Sequence, residues 1–204
     1  MPRPKVHDDA LRVRLLEEAV RTLSQDGPDG LSLRKLAAQV GTSTTAVYSL
    51  FGGKQALLDA VFDEAFARFG QRLASSPPTD RPEEDLYRMA LAYRESALAE
   101  PHFYQVMFGQ ARGAFSPDAA SMARAAATFE PLVEAVQRAM DAGLIRKANP
   151  TTVAVTLWGC VHGMVSLELH SLLPPSADDP AVLYQEAIAA IAGGWSAQAP
   201  RRSR

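Results

Sequence analysis

Hydrophobic residues recur at helical spacing along nearly the whole chain, and no stretch alternates apolar and polar positions with period two between turn signals. The pattern predicts an all-α fold. A first helix over about 8–24 carries Leu11, Leu15, Leu16, Ala19, Val20 and Leu23 on one stripe, with Asp8 and Asp9 at the positive end of its dipole. The run Gln25-Asp26-Gly27-Pro28-Asp29-Gly30 reads as a turn. Ser32 caps a short second helix presenting Leu33, Leu36, Ala37 and Val40, and Gly41, which accepts the left-handed conformation, stops it. A third helix starts near Ser43 and ends by Phe51, before Gly52-Gly53. A fourth runs from Lys54 to about Ala74 and turns Leu57, Leu58, Val61, Phe62, Phe66, Phe69 and Leu73 inward. The linker Ser75-Ser76-Pro77-Pro78-Thr79 closes this part.

Beyond the linker the periodicity predicts helices over about 82–99, 101–109, 117–142, 150–173 and 180–195. Ser116-Pro117 offers a cap with proline at the first helical position. Pro131 lacks an N–H and crowds the preceding turn, so the helix containing it should kink or divide near Phe129-Glu130. Asn149-Pro150 opens the next helix, Pro174-Pro175 ends it, and the tail Arg201-Arg202-Ser203-Arg204 is polar.

Two short helices joined at Gly41, spanning Leu31 to Tyr48, form a helix-turn-helix pattern. The second of these must keep a small, polar outer face to enter a DNA major groove. Thr44, Thr45 and Ser49 supply that face, while Ala46 and Val47 suit close packing or contact with a thymine methyl.

These residues resemble the tetracycline-repressor (TetR) family of one-component bacterial regulators. The resemblance spans residues 11–62 and rests on Ala19, Leu23, Gly27, Leu31-Ser32-Leu33-Arg34, Leu36-Ala37, Val40-Gly41, Ser43, Ala46-Val47-Tyr48, Phe51, Lys54 and Leu57-Leu58. It implies a DNA-binding head with an N-terminal arm over residues 1–54. Residues 55–204 would then form a connecting helix and a helical C-terminal domain that dimerises and holds a small-molecule pocket. The third helix resembles the family's recognition helix, which makes Thr42, Thr44, Thr45 and Ser49 candidates for base edges or phosphates and Tyr48 a phosphate contact through its hydroxyl. Arg34 and Lys54 resemble family phosphate contacts, and both lie near helix N-termini, where a cation and free N–H groups favour an anion. Leu50 departs from the pattern, since the family commonly has His or Tyr there.

From the residues alone, other roles stay open. Tyr48 could cap the core of the head, Arg34 could pair with Asp29 or Glu17, and Arg3 and Lys5 are either an arm reaching an adjacent groove or a solvated tail. Gly52-Gly53-Lys54 lacks the further glycine and the Ser or Thr of a phosphate-binding loop.

Charge changes this picture only slightly. The 204 residues carry 21 basic and 23 acidic side chains, a net charge of −2, so the chain is not a bulk electrostatic binder of nucleic acid. Residues 1–54 hold eight Lys/Arg against six Asp/Glu, and the remainder is net acidic. A hydrophobic share of 47% excludes a disordered chain. The lone Cys160 excludes an internal disulfide, and no Cys/His spacing fits zinc. No apolar run follows the first basic residues as a signal peptide would require, and the expected setting is the cytoplasm.

In the second half, the helix opening at Pro150 has no charge before Glu168 and is apolar around its whole circumference, so it should be buried on more than one side. Thr151, Thr152, Thr156, His162, Ser166 and two glycines argue against a membrane span. The run Trp158-Gly159-Cys160-Val161-His162-Gly163 looks like the Trp-x-x-x-His-Gly signature of one C-terminal subgroup of the family. Tyr184, Ile188, Ile191 and Trp195 share a stripe on the last helix. With Leu167 they are the expected interface of an intersubunit four-helix bundle, as the resemblance implies. Met89, Tyr93, Phe103, Tyr104, Met107, Phe108, Phe129, Trp158, His162 and Met164 are bulky, some with one polar tip, and suit either an apolar ligand cavity or a well-packed core.

The expected function is a one-component transcriptional regulator, by the family's usual mode a repressor, that binds a pseudo-palindromic operator in double-stranded DNA as a homodimer through residues 43–50. A small apolar or amphipathic effector in the C-terminal domain would control it. The alternative is a helical ligand-binding or interaction dimer without specific DNA binding. Neither an esterase elbow, a zinc-protease motif nor a dinucleotide fingerprint is present, and His7, His102, His162 and His170 have no evident catalytic partners in sequence. No enzyme, cofactor or metal is expected.

Overall fold

The computed structural model describes residues 5–75, 77–109, 116–177 and 179–197. Among the described residues the named elements are all helices: α1 (Lys5–Gly30), α2 (Leu33–Val40), α3 (Thr44–Phe51), α4 (Lys54–Ala74), α5 (Pro82–Ala99), α6 (Pro101–Phe108), α7 (Ala119–Ala127), α8 (Glu130–Asp141), α9 (Pro150–Leu169) and α10 (Pro180–Trp195). The chain divides into two compact units, the first comprising residues 1–68 and 100–127 and the second residues 69–99 and 128–204. The division falls inside α4 and brings α6 and α7 into the unit of the first three helices.

In the first unit, Leu15, Leu16, Val20, Leu23, Leu36, Val47, Leu57, Val61, Phe62 and Val106 are almost wholly removed from solvent. Fully burying such side chains stabilises the fold by roughly 1.5–3 kcal/mol each before chain entropy is counted. The expected turn at 25–30 is a break within α1, where Gly27 takes φ 69° and ψ −177° ahead of Pro28. The Leu31 N–H closes the break by donating to the Pro28 carbonyl at 3.3 Å. Arg68 of α4 clasps three helices: its guanidinium binds Glu64 at 2.8 Å, Glu100 beside α6 at 3.0 Å and Glu17 of α1 at 3.7 Å, and lies 4.5 Å over the Phe103 ring. Ser24 and the Nδ1 of His102 lie 2.7 Å apart, a second polar link between α1 and α6.

The second unit packs α5, α8, α9 and α10 around Val136, Met140, Val153 and Ala154, with Leu86, Leu132, Leu157 and Trp195 against them. Asp85 is buried here. Its carboxylate accepts from the Thr79 N–H at 2.9 Å and hydroxyl at 2.7 Å and pairs with Arg88 and with Arg138 at 3.2 Å. The Thr79 N–H, foremost among these partners, holds its carboxyl below the usual carboxylate range. The antiparallel bridge Ile145–Ser196 pins the end of α10, and the Arg146 guanidinium lies 4.3 Å over Trp195.

Several expected details shift. The helix over 117–142 is divided into α7 and α8 at Thr128-Phe129, as Pro131 requires. Its cap is Asp118, whose Oδ1 accepts from the Ser121 N–H at 2.6 Å, and not Ser116. Helix α9 stops at Leu169, four residues short of expectation, and the chain turns through Ser171 at φ 55°. Tyr184 and Ile188, expected on an interface, are only 1% and 8% exposed and lie in the second unit's own core. Tyr184 donates its hydroxyl to the Ala90 carbonyl at 2.6 Å. The stripe they share is the inward face of α10, because the largest apolar side chains are drawn first into the core of their own chain.

Candidate nucleic-acid interface and aromatic cluster

Local chemistry builds the helix-turn-helix. Ser32 Oγ accepts from the Lys35 N–H at the start of α2. At its end Gly41 sits at φ 74° and ψ 39°. The Thr42 N–H donates to Ala37 at 2.8 Å and the Gly41 N–H to Ala38 at 3.2 Å, the paired bonds of a left-handed helix stop. Ser43 then caps α3, its Oγ accepting from the Ala46 N–H at 3.1 Å, and Gly52 at φ 84° ends it. Val47 and Phe51 anchor α3 inward. Arg14 of α1 donates to the Val40 carbonyl at 3.2 Å and Arg12 lies 5.4 Å over Phe51, so these two cations serve the scaffold.

What remains outside on α3 is a neutral helix face, with exposed cations in the first turns of α2 and α4. Tyr48 is 54% exposed, Thr45 and Ser49 are exposed, and Thr42 and Thr44 are partly so. Tyr48 therefore does not cap the core. Arg34 and Lys54 are exposed, and among the described residues no carboxylate pairs with Arg34, since Glu17 is held by Arg68. The first turns of α2, α3 and α4 contain no acidic residue. Lys35, which the sequence reading passed over, is exposed next to Arg34; its adjacency in a helix first turn was the available signal. Arg3 lies outside the described residues, as does the side chain of Lys5, the first residue of α1.

The aromatic candidates fall in both units. Phe103, Tyr104 and Met107 are buried in the core of the first, where Phe108 packs its ring 5.1 Å from Tyr104 and 5.9 Å from Phe66. In the second, Tyr93 and His162 meet through a 2.9 Å contact between the hydroxyl and Nδ1, and Trp158 Nε1 donates to the same hydroxyl at 3.4 Å. Phe129 stands edge-on to Trp158 at 5.8 Å and Phe69 edge-on to Tyr93 at 5.3 Å. Burial pushes the His162 imidazole below the usual histidine range. Met89 and Met164 are half-buried. This cluster combines apolar walls with neutral hydrogen-bonding tips. No group of three metal-ligating side chains stands together among the described residues.

Facing away from that core, α9 exposes Val155, Gly159 and Leu167, while α10 exposes Val182, Ala189 and Gly193. A Cβ at Gly159, Gly163 or Gly193 would meet nothing within 4 Å, so this face is open and shallow. Ile191 and Trp195 are half-buried. Among the described residues α9 is the one helix long and apolar enough to cross a membrane by length and composition. Its Val153 and Ala154 nevertheless pack against α8 in the core.

The family described as "Bacterial regulatory proteins, tetR family" matches residues 15–61, and that described as "Tetracyclin repressor-like, C-terminal domain" matches residues 86–191. The HTH-type transcriptional repressor DrrR1 of Streptomyces coeruleorubidus is 34% identical over 109 residues, which cover 52% of this chain and 38% of that protein. The chain thus matches well under half the length of that relative. A protein of unknown function from Rhodococcus sp. RHA1 superposes with a TM-score of 0.77 at 29% identity, covering 91% of this chain and 95% of the other. The TetR family transcriptional regulator PfmR from Thermus thermophilus shares the fold, with a TM-score of 0.71 at 20% identity over 87% and 96% of the two chains.

Proposed function

This chain belongs to the tetR family of bacterial regulatory proteins, and from that premise we propose that it is a one-component transcriptional repressor acting in the cytoplasm on double-stranded operator DNA. One observation carries the reading: the exposed, uncharged outer face of α3, set by the stop of α2 at Gly41 and the cap of α3 at Ser43, with exposed Arg34 and Lys54 in the first turns of the neighbouring helices in sequence. Thr44, Thr45 and Ser49 are the proposed base-edge contacts. Tyr48, Thr42, Arg34 and Lys54 bind phosphate and fix the register of the helix on the duplex.

A single eight-residue helix reads few bases, so the proposal includes a homodimer whose two α3 helices meet half-sites about one helical turn, roughly 34–36 Å, apart. The dimer surface is the outward face of α9 and α10, with Val155, Leu167 and Val182 as its apolar contacts and the glycines allowing close helix approach. The effector is a small, largely apolar molecule. Its proposed contacts are Tyr93, Phe129, Trp158 and His162, with Met89 and Met164 lining the same region. It acts as a switch only if it binds the conformations that do and do not hold DNA with different affinity.

Selection of binding sites from a random duplex pool with the purified protein tests the reading. A recovered pseudo-palindrome, bound with a log-log salt slope of about −0.9 per phosphate contact, supports it. Folded, dimeric, ligand-free protein that enriches no site at low salt overturns it in favour of a ligand-binding dimer.

A further inference from the structure

Helix α4 presents Lys54 at its first residue, and the same helix carries Gln55, Asp59 and Asp63 at four-residue intervals on one face. Gln55 and Asp59 are tied to the segment that precedes α7, and Asp63 to Arg124 in the last turn of α7. Gln55 Nε2 donates to the Ser116 carbonyl at 3.4 Å and to Asp59 Oδ1 at 3.2 Å. Asp59 Oδ1 accepts from the Asp118 N–H at 3.3 Å. Asp63 receives both prongs of the Arg124 guanidinium, Nε at 3.0 Å and Nη2 at 2.5 Å. Arg124 is itself oriented by the wholly buried Ser121, whose Oγ accepts from Nη2 at 3.0 Å. The ties run along the first turns of α4 for roughly 12 Å at 1.5 Å per residue and begin at the residue next to Lys54. A parallel fork to a carboxylate fixes direction as well as distance.

We infer that Asp63 and Arg124 are positioning residues for DNA binding: together with Gln55 and Asp59 they form a clasp by which α7 sets the placement of the α4 N-terminus and so of the Lys54 phosphate contact. The inference rests on the proposed operator binding. Helix α7 touches no DNA in this scheme; it acts through Lys54. It also neutralises Asp63, an acidic charge of the helix that must approach phosphate.

The test uses the full-length protein and the operator recovered from the random pool. Arg124→Glu is expected to weaken operator binding about tenfold and to flatten the salt slope by roughly 1.8 per dimer, the value for one lost phosphate contact in each protomer. The exchanged pair Asp63→Arg with Arg124→Asp should restore most of both. The decisive measurement is the cycle of Lys54→Ala and Arg124→Glu, because a residue acting through Lys54 costs little once Lys54 is gone, whereas a general charge or stability effect adds to it in full. Arg124→Gln, which keeps the stem and loses the fork, carries the same cycle if the reversed charge prevents folding. An additive cycle, or a lowered Tm with the salt slope unchanged, overturns the inference while leaving the operator reading intact. Wild-type protein that recovers no operator overturns both.

Discussion

The hydroxyl of Tyr93 on α5 lies 2.9 Å from Nδ1 of His162 on α9 and receives the indole N–H of Trp158 one turn earlier. Because burial holds the His162 imidazole below its ordinary range, the unfolded chain binds a proton more readily than the folded one. Stability contributed by neutral His162 is complete above the unfolded pKa of about 6.5 and is lost as pH falls through the folded value. Urea midpoints measured between pH 7.5 and 5.5 should fall with acidification, and His162→Gln should flatten that slope. An unchanged slope in the variant would remove His162 from the pH response.

Tyr48 is 54% exposed and supports no core packing, so Tyr48→Phe should leave Tm within about 1 °C while weakening operator binding by roughly 0.5–1.5 kcal/mol, one hydrogen bond. Fluorescence titration with the selected operator measures this. A fall in Tm without loss of affinity would return Tyr48 to a structural role.

Gly41 occupies φ 74° with open space where a Cβ would stand. Gly41→Ala should therefore cost about 1–2 kcal/mol through backbone conformation alone, with no clash to relieve. Chemical denaturation reports the loss, and Gly41→Asn, better tolerated in the left-handed region, should recover part of it.

Val155→Arg combined with Val182→Arg places charge on the outward face of α9 and α10, where both positions are exposed. Sedimentation should show a folded monomer with greatly weakened operator binding. Tyr184→Ala should instead destabilise the protomer by about 3–5 kcal/mol, the range for emptying a buried aromatic site. A dimer that persists in the double arginine variant would refute the proposed interface.

Much of the head was legible in sequence because its signals are local. Ser32, Gly41, Ser43 and Gly52 each bond to backbone within a few residues, so their roles depend little on the rest of the fold. The clasp of Arg124 on Asp63 and the Arg68 hub were not legible, since their partners lie 61 and up to 51 residues away and nothing in either segment marks the other.

The sequence by itself determined the all-helical pattern, the stops of α2 and α3 and the small, uncharged outer face of α3, because period, caps and side-chain size act over a turn or two. Only the tertiary structure decided which face of α10 is inward and that α6 and α7 join the unit of the first three helices. It alone brought Asp85 to Arg138 and Tyr93 to His162. An amphipathic stripe records that a surface must be buried and not against what; the choice among partners is made by packing volume and by the pairing of charges that burial would otherwise strand.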